Sequence, residues 1–448
     1  MMEFANINSN TLKVDEEDYH TNINEILKGK LQEDINECEK NFAETIFSII
    51  YSDKSYYTEF NELYSYINGI EMVQDVQEVL RKYARILTVL FPVIICSPTL
   101  VPNIVRCEKG IFDQIIFDES SQITLEKALP ILYRGQQFCC VGDLKQLPPP
   151  SYFSNIEKQK ELAKSMASLE VSDDFENNLI DGCTSLLDYL QKKSRVTMLN
   201  YHYRCKTKDL IQFSNVAFYN NSINVADSPT PTSTGLKCVN VNGEYKDGIN
   251  VQEAAEVIKI IEKIVNDPRH NTPNYNDSIG VITFSMEQKN YIESLIKDHP
   301  SKLISNELGR VTDDGEDISL FVRTVADVQG AERNNIIISM GFSERKSDKT
   351  FHKSITILNS EIGKNYINVM FSRAIDNMYV VKSFNSDYIY GNNLSDSVKA
   401  LKNFIHYVEL FDKFHSINNP NIEAIFLPYK KESAEFDFTI DTTNKGSE

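Results

Sequence analysis

The chain has 448 residues, 41% of them hydrophobic and 25% charged, so it is too apolar to be disordered and long enough for two or three globular domains. Lys and Arg number 46 and Asp and Glu number 64, which gives a net charge of −18. That charge argues against partners that require a broad basic face, as in histone-like DNA packaging or polybasic membrane binding.

The sequence carries no pattern typical of a membrane protein or of a cross-linked fold. Its longest apolar run, 86–96, is interrupted by Thr88 and Pro92 and is about half as long as a membrane span. The start lacks the basic and apolar regions of a secretory signal, and the eight cysteines include no Cys-x-x-Cys pair. We therefore expect a cytoplasmic protein without a membrane partner, whose cysteines are reduced, mostly buried thiols and form neither disulfides nor a zinc site.

Residues 1–85 are polar and acidic, and their apolar residues recur at helical spacing, which predicts a helical segment. Short β-branched runs follow at 93–95, 115–117 and 138–141. Helix formers over 124–132 separate the last two runs and predict the order strand, helix, strand. Near-continuous apolar strands of this kind predict an α/β fold with a parallel sheet that is covered on both faces.

A charged connector over 151–182 leads to a second α/β region. Its pattern predicts strands over 196–199, 279–283, 321–325, 336–339 and 377–381 and helices over 208–218, 252–265, 287–296, 367–372 and 394–411. The tail after residue 411 is polar and has no assignment.

Two acidic turns follow neighbouring predicted strands of the first region. Asp118 and Glu119 come directly after the strand over 115–117, and Gly142 and Asp143 come after the next one. The separation of about 24 residues is what a helix and a strand require, so both turns are expected at one edge of the sheet. Ligands of open α/β sheets bind at that edge.

The residue types at these turns fit nucleotide hydrolysis. Asp118 would hold a Mg²⁺ ion, directly or through water, and Glu119 would orient and deprotonate the water that attacks a γ-phosphate. Gly142 permits a tight exit from the strand, and Gln146 can hydrogen-bond a phosphate or the attacking water. A lone Asp-Glu pair is more often the exposed start of a helix, but the second turn at this distance makes the pattern specific.

The motif Asp-Glu-x-x-Gln over 118–122, followed by Gly-Asp-x-x-Gln-Leu-Pro-Pro over 142–149, resembles the superfamily 1 helicases, in particular the superfamily 1B branch of RNA-decay and senataxin-like helicases. The resemblance covers roughly residues 86–410. It implies a P-loop NTPase (RecA-like) fold with parallel sheets, ATP and Mg²⁺ as cofactors, and single-stranded DNA or RNA as the partner. DNA and RNA, and the polarity of movement, stay undistinguished.

The resemblance also assigns roles in the second region. It implies that Tyr203 stacks near the adenine and that Arg204 and Arg373 act on the γ-phosphate, a role that suits a guanidinium. By themselves, a Tyr-Arg pair is a common surface feature and an arginine on a helix is usually solvated or salt-bridged. We expect Arg373→Ala to leave folding nearly unchanged while removing any ATPase activity.

Three sets of site residues follow from the acidic turns and the resemblance together. The catalytic set is Glu119, Gln146, Arg204 and Arg373; the cofactor-binding set is Asp118, Gln122, Gly142, Asp143, Tyr203, Gly330 and Glu332; and the nucleic-acid set is Thr283, Phe284, Ser285, Gln288 and Thr324. For the strand over 280–285, an ordinary buried strand is an equally good interpretation.

One expected motif is absent, because no Gly-x-x-x-x-Gly-Lys-Ser/Thr (Walker A) loop occurs in the sequence. In the family this loop cradles the phosphates with backbone amides and a lysine. We therefore predict that 1–85 is the remnant of an insertion, that 86–182 is a truncated first motor domain and that 183–411 is a complete second one, followed by the polar tail 412–448.

Two functions remain open. The first is an ATP-dependent helicase or translocase on single-stranded nucleic acid, in truncated or split form, whose Walker A half belongs to a separate polypeptide or has been lost. The second is a catalytically inactive pseudo-helicase that acts as a nucleic-acid or protein binding module. The first is favoured because every other catalytic side chain of the motifs is present.

Overall fold

The computed structural model describes residues 16–69, 76–149, 183, 185–225, 235–270, 277–312, 315–343, 358, 360, 362–390 and 394–414. The chain divides into two compact units: Met1–Ile116 with Leu125–Cys139, and Phe117–Thr124 with Cys140–Glu448. The domain boundaries expected from the sequence stay predictions. The connector over 151–182 and the tail from 415 lie outside the described residues.

The first unit begins with helices, as expected. Its helices are α1 (Glu16–Ser52), α2 (Lys54–Ile67), α3 (Val76–Lys82), α4 (Ala84–Leu90), α5 (Val101–Ile104) and α6 (Leu125–Leu132). Asp53 caps α2 by accepting the Ser55 amide. Ile50, Leu63 and Ile86 belong to a buried cluster that joins α1, α2 and α4, which fixes the C-terminal end of α1 against its neighbours.

The two strands that flank α6 in the sequence pair to form a two-stranded sheet. It consists of β1 (Phe112–Phe117) and β2 (Gly135–Cys140). The Phe112 amide donates to the Arg134 carbonyl and the Val141 amide donates to the Phe117 carbonyl, so the two strands run in the same direction. The predicted order of strand, helix and strand is confirmed.

The expectation of a sheet covered on both faces is wrong for β1 and β2. Ile116 is 68% exposed and Phe138 is 48% exposed. Residues 93–95 form no strand, because among the described residues they find no neighbour for their backbone groups. All eight cysteines are free, but the expectation that they are mostly buried is wrong: Cys205 is the one that is buried, and Cys38, Cys107 and Cys139 are exposed.

The second unit contains a five-stranded sheet in the order β5-β11-β10-β8-β9, with every pair parallel. These strands are β5 (Leu236–Asn240), β8 (Ile279–Thr283), β9 (Phe321–Thr324), β10 (Arg333–Ser343) and β11 (Ala374–Ser383); the short strands β3 (Tyr201–His202) and β4 (Asn224–Val225) pair in parallel, and β6 (Tyr245–Lys246) and β7 (Ile249–Asn250) pair antiparallel. In the centre, Ile337 lies opposite Val281 and Tyr379.

Helices cover both faces of this sheet. The helices of the second unit are α7 (Leu186–Gln191), α8 (Asp209–Phe218), α9 (Val251–Val265), α10 (Met286–Lys297), α11 (Lys302–Glu307), α12 (Gly363–Met370) and α13 (Asp396–Phe414). Ile336 and Ile338 pack in the cluster with α8, α12 and α13, whereas Ile337 packs in the cluster with α9 and α10. The predicted parallel-sheet α/β fold is confirmed for this region.

Most predicted elements of this unit match the observed ones closely, but the edge strand β5 was not predicted and the strand expected over 196–199 is wrong. Residues 196–199 form no strand, and Leu199 is 81% exposed. Pairing instead starts at Tyr201, because β4 offers backbone groups to Tyr201 and His202 only. Among the described residues, no helix is both long and apolar enough to cross a membrane; the cytoplasmic location stays a prediction.

Candidate functional site

The first acidic turn is held in an unusual backbone conformation. Glu119 has φ 49° and ψ 40°, in the left-handed region, and precedes a 3-10 turn over Ser120–Gln122. The other described non-glycine residues with positive φ are Asn or Asp, which tolerate this region better. Asp118 accepts the Glu119 amide at 2.9 Å, and both carboxylates are exposed. Strain of this kind is typical of functional positions.

The two acidic turns lie side by side, as their spacing predicts. The amide and the hydroxyl of Ser120 both donate to the Val141 carbonyl at 2.8 Å. A Cβ atom on Gly142 would lie 3.0 Å from the Ser120 hydroxyl oxygen and 3.0 Å from the Ser121 nitrogen. Glycine is therefore required at 142 because the backbone of the other turn is so close.

Asp143 anchors the loop that follows it. Its Oδ1 accepts the Lys145 amide at 2.8 Å. Its Oδ2 accepts the Gln146 side-chain amide at 3.1 Å and the Tyr219 hydroxyl at 2.6 Å. Both carboxylate oxygens are thus engaged by groups of the chain itself, which orients the 143–147 loop.

Gln329 connects that loop to the first turn. Its side-chain carbonyl accepts the Leu147 amide at 3.1 Å, and its side-chain amide donates to Glu119 Oε2 at 3.4 Å. Gln122 donates to the same carboxylate oxygen at 3.3 Å. The Glu119 carboxylate is therefore held at Oε2 by two neutral amides, and its Oε1 accepts no hydrogen bond from the described residues.

Helix α12 contacts the same loop through two asparagines. Asn365 donates to the carbonyls of Leu144 and Gln146. Asn368 donates to the Lys145 carbonyl at 2.9 Å and to the Tyr219 oxygen at 2.7 Å. Burial, and then the negative charge of Asp143, raise the pKa of Tyr219, so its hydroxyl stays protonated.

Two arginines of the catalytic set share one carboxylate. Arg204 Nη1 lies 2.5 Å from Glu332 Oε1, and Arg373 Nη1 lies 4.0 Å from the same oxygen. Arg373 is 6% exposed and also donates to the Val369 carbonyl at 2.9 Å and to the Ser372 hydroxyl. Burial lowers the pKa of Arg373, and Glu332 opposes this effect. The arginines and the acidic turns belong to the same unit.

The predicted nucleic-acid residues lie apart from these contacts, at the ends of β8 and β9. Thr283 and Gln288 are fully buried, and Gln288 bonds to Asn250 and Ser339. Phe284 is 9% exposed and packs against Phe342 in the core, and the Thr324 hydroxyl donates to Asp327. Ser285 caps α10 by accepting the Gln288 amide. Their contact with nucleic acid stays a prediction.

Two residues of the predicted cofactor-binding set, Tyr203 and Gly330, are exposed. Tyr203 is 75% exposed. Gly330 has φ 77°, in the region that favours glycine, and faces open space. The predicted roles of both residues stay untested by the geometry.

Sequence reasoning missed four residues at the turns: Tyr219, Gln329, Asn365 and Asn368. Tyr219 follows the helix predicted over 208–218, Gln329 directly precedes Gly330, and Asn368 lies five residues before Arg373; these positions were the available signal. Their partners are up to 223 positions away in the chain, so no local pattern could have revealed these contacts.

The acidic turns fit a magnesium ion that arrives with a nucleotide. Among the described residues, no three His, Cys, Asp or Glu side chains are grouped so that they could hold a metal ion. Mg²⁺ bound with nucleotides commonly takes one or two carboxylates, and phosphates and waters supply the rest. Asp118 meets that need, because its Oδ2 has no hydrogen-bond partner within the described part of the chain.

The chain is similar to helicases. Residues 183–385 match the family model described as an AAA domain. Over 429 residues the chain is 28% identical to the uncharacterized ATP-dependent helicase MG140 homolog of Mycoplasma pneumoniae, with 93% of the chain and 36% of that protein covered. Over 371 residues it is 30% identical to the uncharacterized ATP-dependent helicase MG140 of Mycoplasma genitalium, with 81% and 31% covered.

The chain thus spans about a third of the length of the curated relatives it matches. The arterivirus nonstructural protein 10 helicase in complex with DNA aligns with a TM-score of 0.29 at 12% identity, over 64% of the chain and 45% of that structure; this TM-score is too low to support an argument. The sequence matches support a helicase family, and with the parallel α/β architecture they support a P-loop NTPase-like fold.

Proposed function

We propose that this chain is part of an ATP-dependent helicase or translocase of superfamily 1 and holds the hydrolytic half of its nucleotide site. The observation that carries the proposal is the side-by-side placement of the two acidic turns. Gln329 bonds to Glu119 and to the 143–147 loop, and Asn365 and Asn368, on the helix that precedes Arg373, bond to the same loop. Glu119 would act as the general base, and Asp118 would hold Mg²⁺. The bound ion would neutralise charge on the phosphates.

The orientation of Gln146 supports a role in aligning water. One N–H of its Nε2 donates to Asp143, because a carboxylate accepts. The side chain can then offer its carbonyl oxygen, Oε1, and its second N–H to a ligand. An acceptor can orient the O–H of an attacking water, whereas it repels a phosphate oxygen.

Two features indicate that further protein is needed for activity. The sequence has no Walker A loop, and Arg204 and Arg373 are turned toward Glu332. We propose that a polypeptide carrying a Gly-x-x-x-x-Gly-Lys-Ser/Thr loop supplies the phosphate cradle, and that single-stranded DNA or RNA is the substrate. The exposed faces of β1 and β2 favour such a partner, because parallel sheets are normally covered.

The test is ATP hydrolysis by the purified full chain, alone and mixed with a polypeptide that carries the Walker A loop, with and without single-stranded DNA or RNA. We expect strand-stimulated turnover in the mixture, reduced at least about 100-fold by Glu119→Gln, because the general base is lost. Glu126→Gln, on the exposed face of α6, is the matched control and should keep full turnover.

The alternative function, a non-catalytic binding module, predicts a different result. Such a chain would bind single strands with the same affinity whether or not nucleotide and the Walker A polypeptide are present. Absence of turnover in every mixture, combined with nucleotide-independent strand binding, would overturn the ATPase proposal and establish the binding module.

A further inference from the structure

Two polar side chains outside the predicted site residues, Tyr219 and Asn368, are hydrogen-bonded to each other. Tyr219 follows the last residue of α8, and Asn368 lies on α12, five residues before Arg373. Both are bonded to the loop that carries Gln146. The proposed chemistry gives neither residue a direct role.

The hydrogen bonds among these residues have a defined direction. The Asp143 carboxylate only accepts, so the single hydroxyl proton of Tyr219 is donated to Asp143. The Tyr219 oxygen is then free to accept one N–H of Asn368, at 2.7 Å. The second N–H of Asn368 goes to the Lys145 carbonyl. Each proton in the chain of bonds therefore has one acceptor.

This arrangement leads directly to Gln146. Asp143 Oδ2 accepts both Tyr219 and the Gln146 amide, so the hydroxyl fixes the carboxylate that in turn fixes Gln146. At the other end, the helix that carries Asn368 ends at Met370, and Arg373 Nε is bonded back to the carbonyl of Val369. A shift of this helix therefore moves Arg373 and disturbs the Gln146 loop together.

We propose that Tyr219 and Asn368 are positioning residues that hold the 143–147 loop against helix α12, so that Gln146 and Arg373 reach the nucleotide site in register. They touch no reacting atom. Tyr219 acts through Asp143 and Gln146, and Asn368 acts through Tyr219 and the Lys145 carbonyl. Hydrogen bonds to an ionised carboxylate are among the stronger ones, which suits a fixed alignment.

The first measurement is amide hydrogen exchange in the full chain without nucleotide. Tyr219→Phe should speed exchange of the Lys145, Gln146 and Leu147 amides by about tenfold, since one charge-assisted hydrogen bond is lost. Tyr407→Phe is the control, because its fully buried hydroxyl donates to the Asp209 carbonyl instead. That variant should lose comparable thermal stability without changing exchange in the loop.

The second measurement is kinetic and rests on the proposed ATP hydrolysis. In the mixture with the Walker A polypeptide, Tyr219→Phe and Asn368→Ala should lower kcat by about ten- to hundredfold and change KM for ATP little. If Tyr219 acts through Gln146, the double variant of Tyr219→Phe with Gln146→Ala should be no slower than Gln146→Ala alone.

The two measurements separate the two proposals. A wild-type mixture that hydrolyses no ATP would refute the proposed function, while the exchange result would still decide whether these residues hold the loop. Unchanged exchange at 145–147 in both Tyr219→Phe and Asn368→Ala would overturn the positioning role. Strictly additive effects of Tyr219→Phe and Gln146→Ala on kcat would overturn the route through Gln146.

Discussion

Arg204 is bound by Glu332: Nη1 of the guanidinium lies 2.5 Å from Oε1 of the carboxylate. The two residues are 128 positions apart in the chain. The Arg204 side chain is 57% exposed, so it can leave the carboxylate at little cost, since exposed ion pairs contribute about 0 to 1 kcal/mol. The ion pair with Glu332 therefore contributes little to fixing the position of Arg204.

Arg373 differs from Arg204 in burial, and this difference predicts unequal effects on stability. Arg373→Ala should lower the free energy of unfolding by about 2 kcal/mol, because a buried guanidinium bonded to Val369 and Ser372 is removed. Arg204→Ala should cost less than about 1 kcal/mol. Urea unfolding followed by circular dichroism measures both. Equal losses would contradict this prediction.

The sequence alone led us to expect that Arg373→Ala leaves folding nearly unchanged, whereas the burial of Arg373 predicts a loss of stability. A motif places an arginine near a nucleotide, but its burial depends on Val369, Ser372 and Glu332, whose arrangement is set by tertiary packing. Conversely, β8 was predicted with its observed bounds, because five consecutive buried residues give an unmistakable apolar run.

The two strand predictions that the structure contradicts have a common physical cause. Residues 93–95 and 196–199 have strand-like sequences, yet neither forms a strand, because pairing requires a neighbour and propensity does not supply one. The acidic turns were placed correctly, since strand length and parallel topology determine where strands end. No such rule predicts the contacts of Tyr219 and Asn368 with the 143–147 loop.

The left-handed backbone conformation of Glu119 predicts that this residue makes the fold less stable than glycine would at the same position. The left-handed conformation costs a residue with a Cβ atom about 1 kcal/mol relative to glycine. Glu119→Gly should therefore be about 1 kcal/mol more stable than Glu119→Ala, although both lack the carboxylate. Paired chemical denaturation curves measure the difference. A matched comparison is Asp247→Gly with Asp247→Ala, at φ 52° outside the site; if only the Asp247 pair differs, Glu119 is not strained.

The close approach of the two acidic turns at Gly142 predicts that a methyl group added at this position forces the turns apart. Gly142→Ala brings a Cβ atom to within 3.1 Å of Leu187 and 3.0 Å of two atoms of the neighbouring turn. We expect a loss of about 1 to 2 kcal/mol in stability and a parallel loss of any nucleotide turnover. Gly309→Ala, which meets open space, should be neutral or slightly stabilising. Similar melting temperatures for the two variants would show that the turns can move apart freely.

A buried carboxyl group predicts a pH dependence of stability. Glu253 accepts bonds from Ser339, Gly341 and Asn250, but burial dominates and raises its pKa from 4.5 to about 7. Between those values the folded state binds the proton more tightly than the unfolded state, so this group stabilises the fold below pH 4.5 and loses that contribution as the pH rises through 7. The full change is at most about 3 kcal/mol.

Glu253→Gln isolates this contribution, because glutamine resembles the protonated acid and does not titrate. The free energy of unfolding of the wild type minus that of the variant should fall as the pH rises from 4.5 to 7 and stay level above that range. Glu256→Gln, on the same helix and paired with Lys259 near the surface, should show no such fall. Urea unfolding at half-unit pH steps provides the measurement. A difference that rises with pH would mean that Glu253 is charged in the folded protein and stabilised by its three donors.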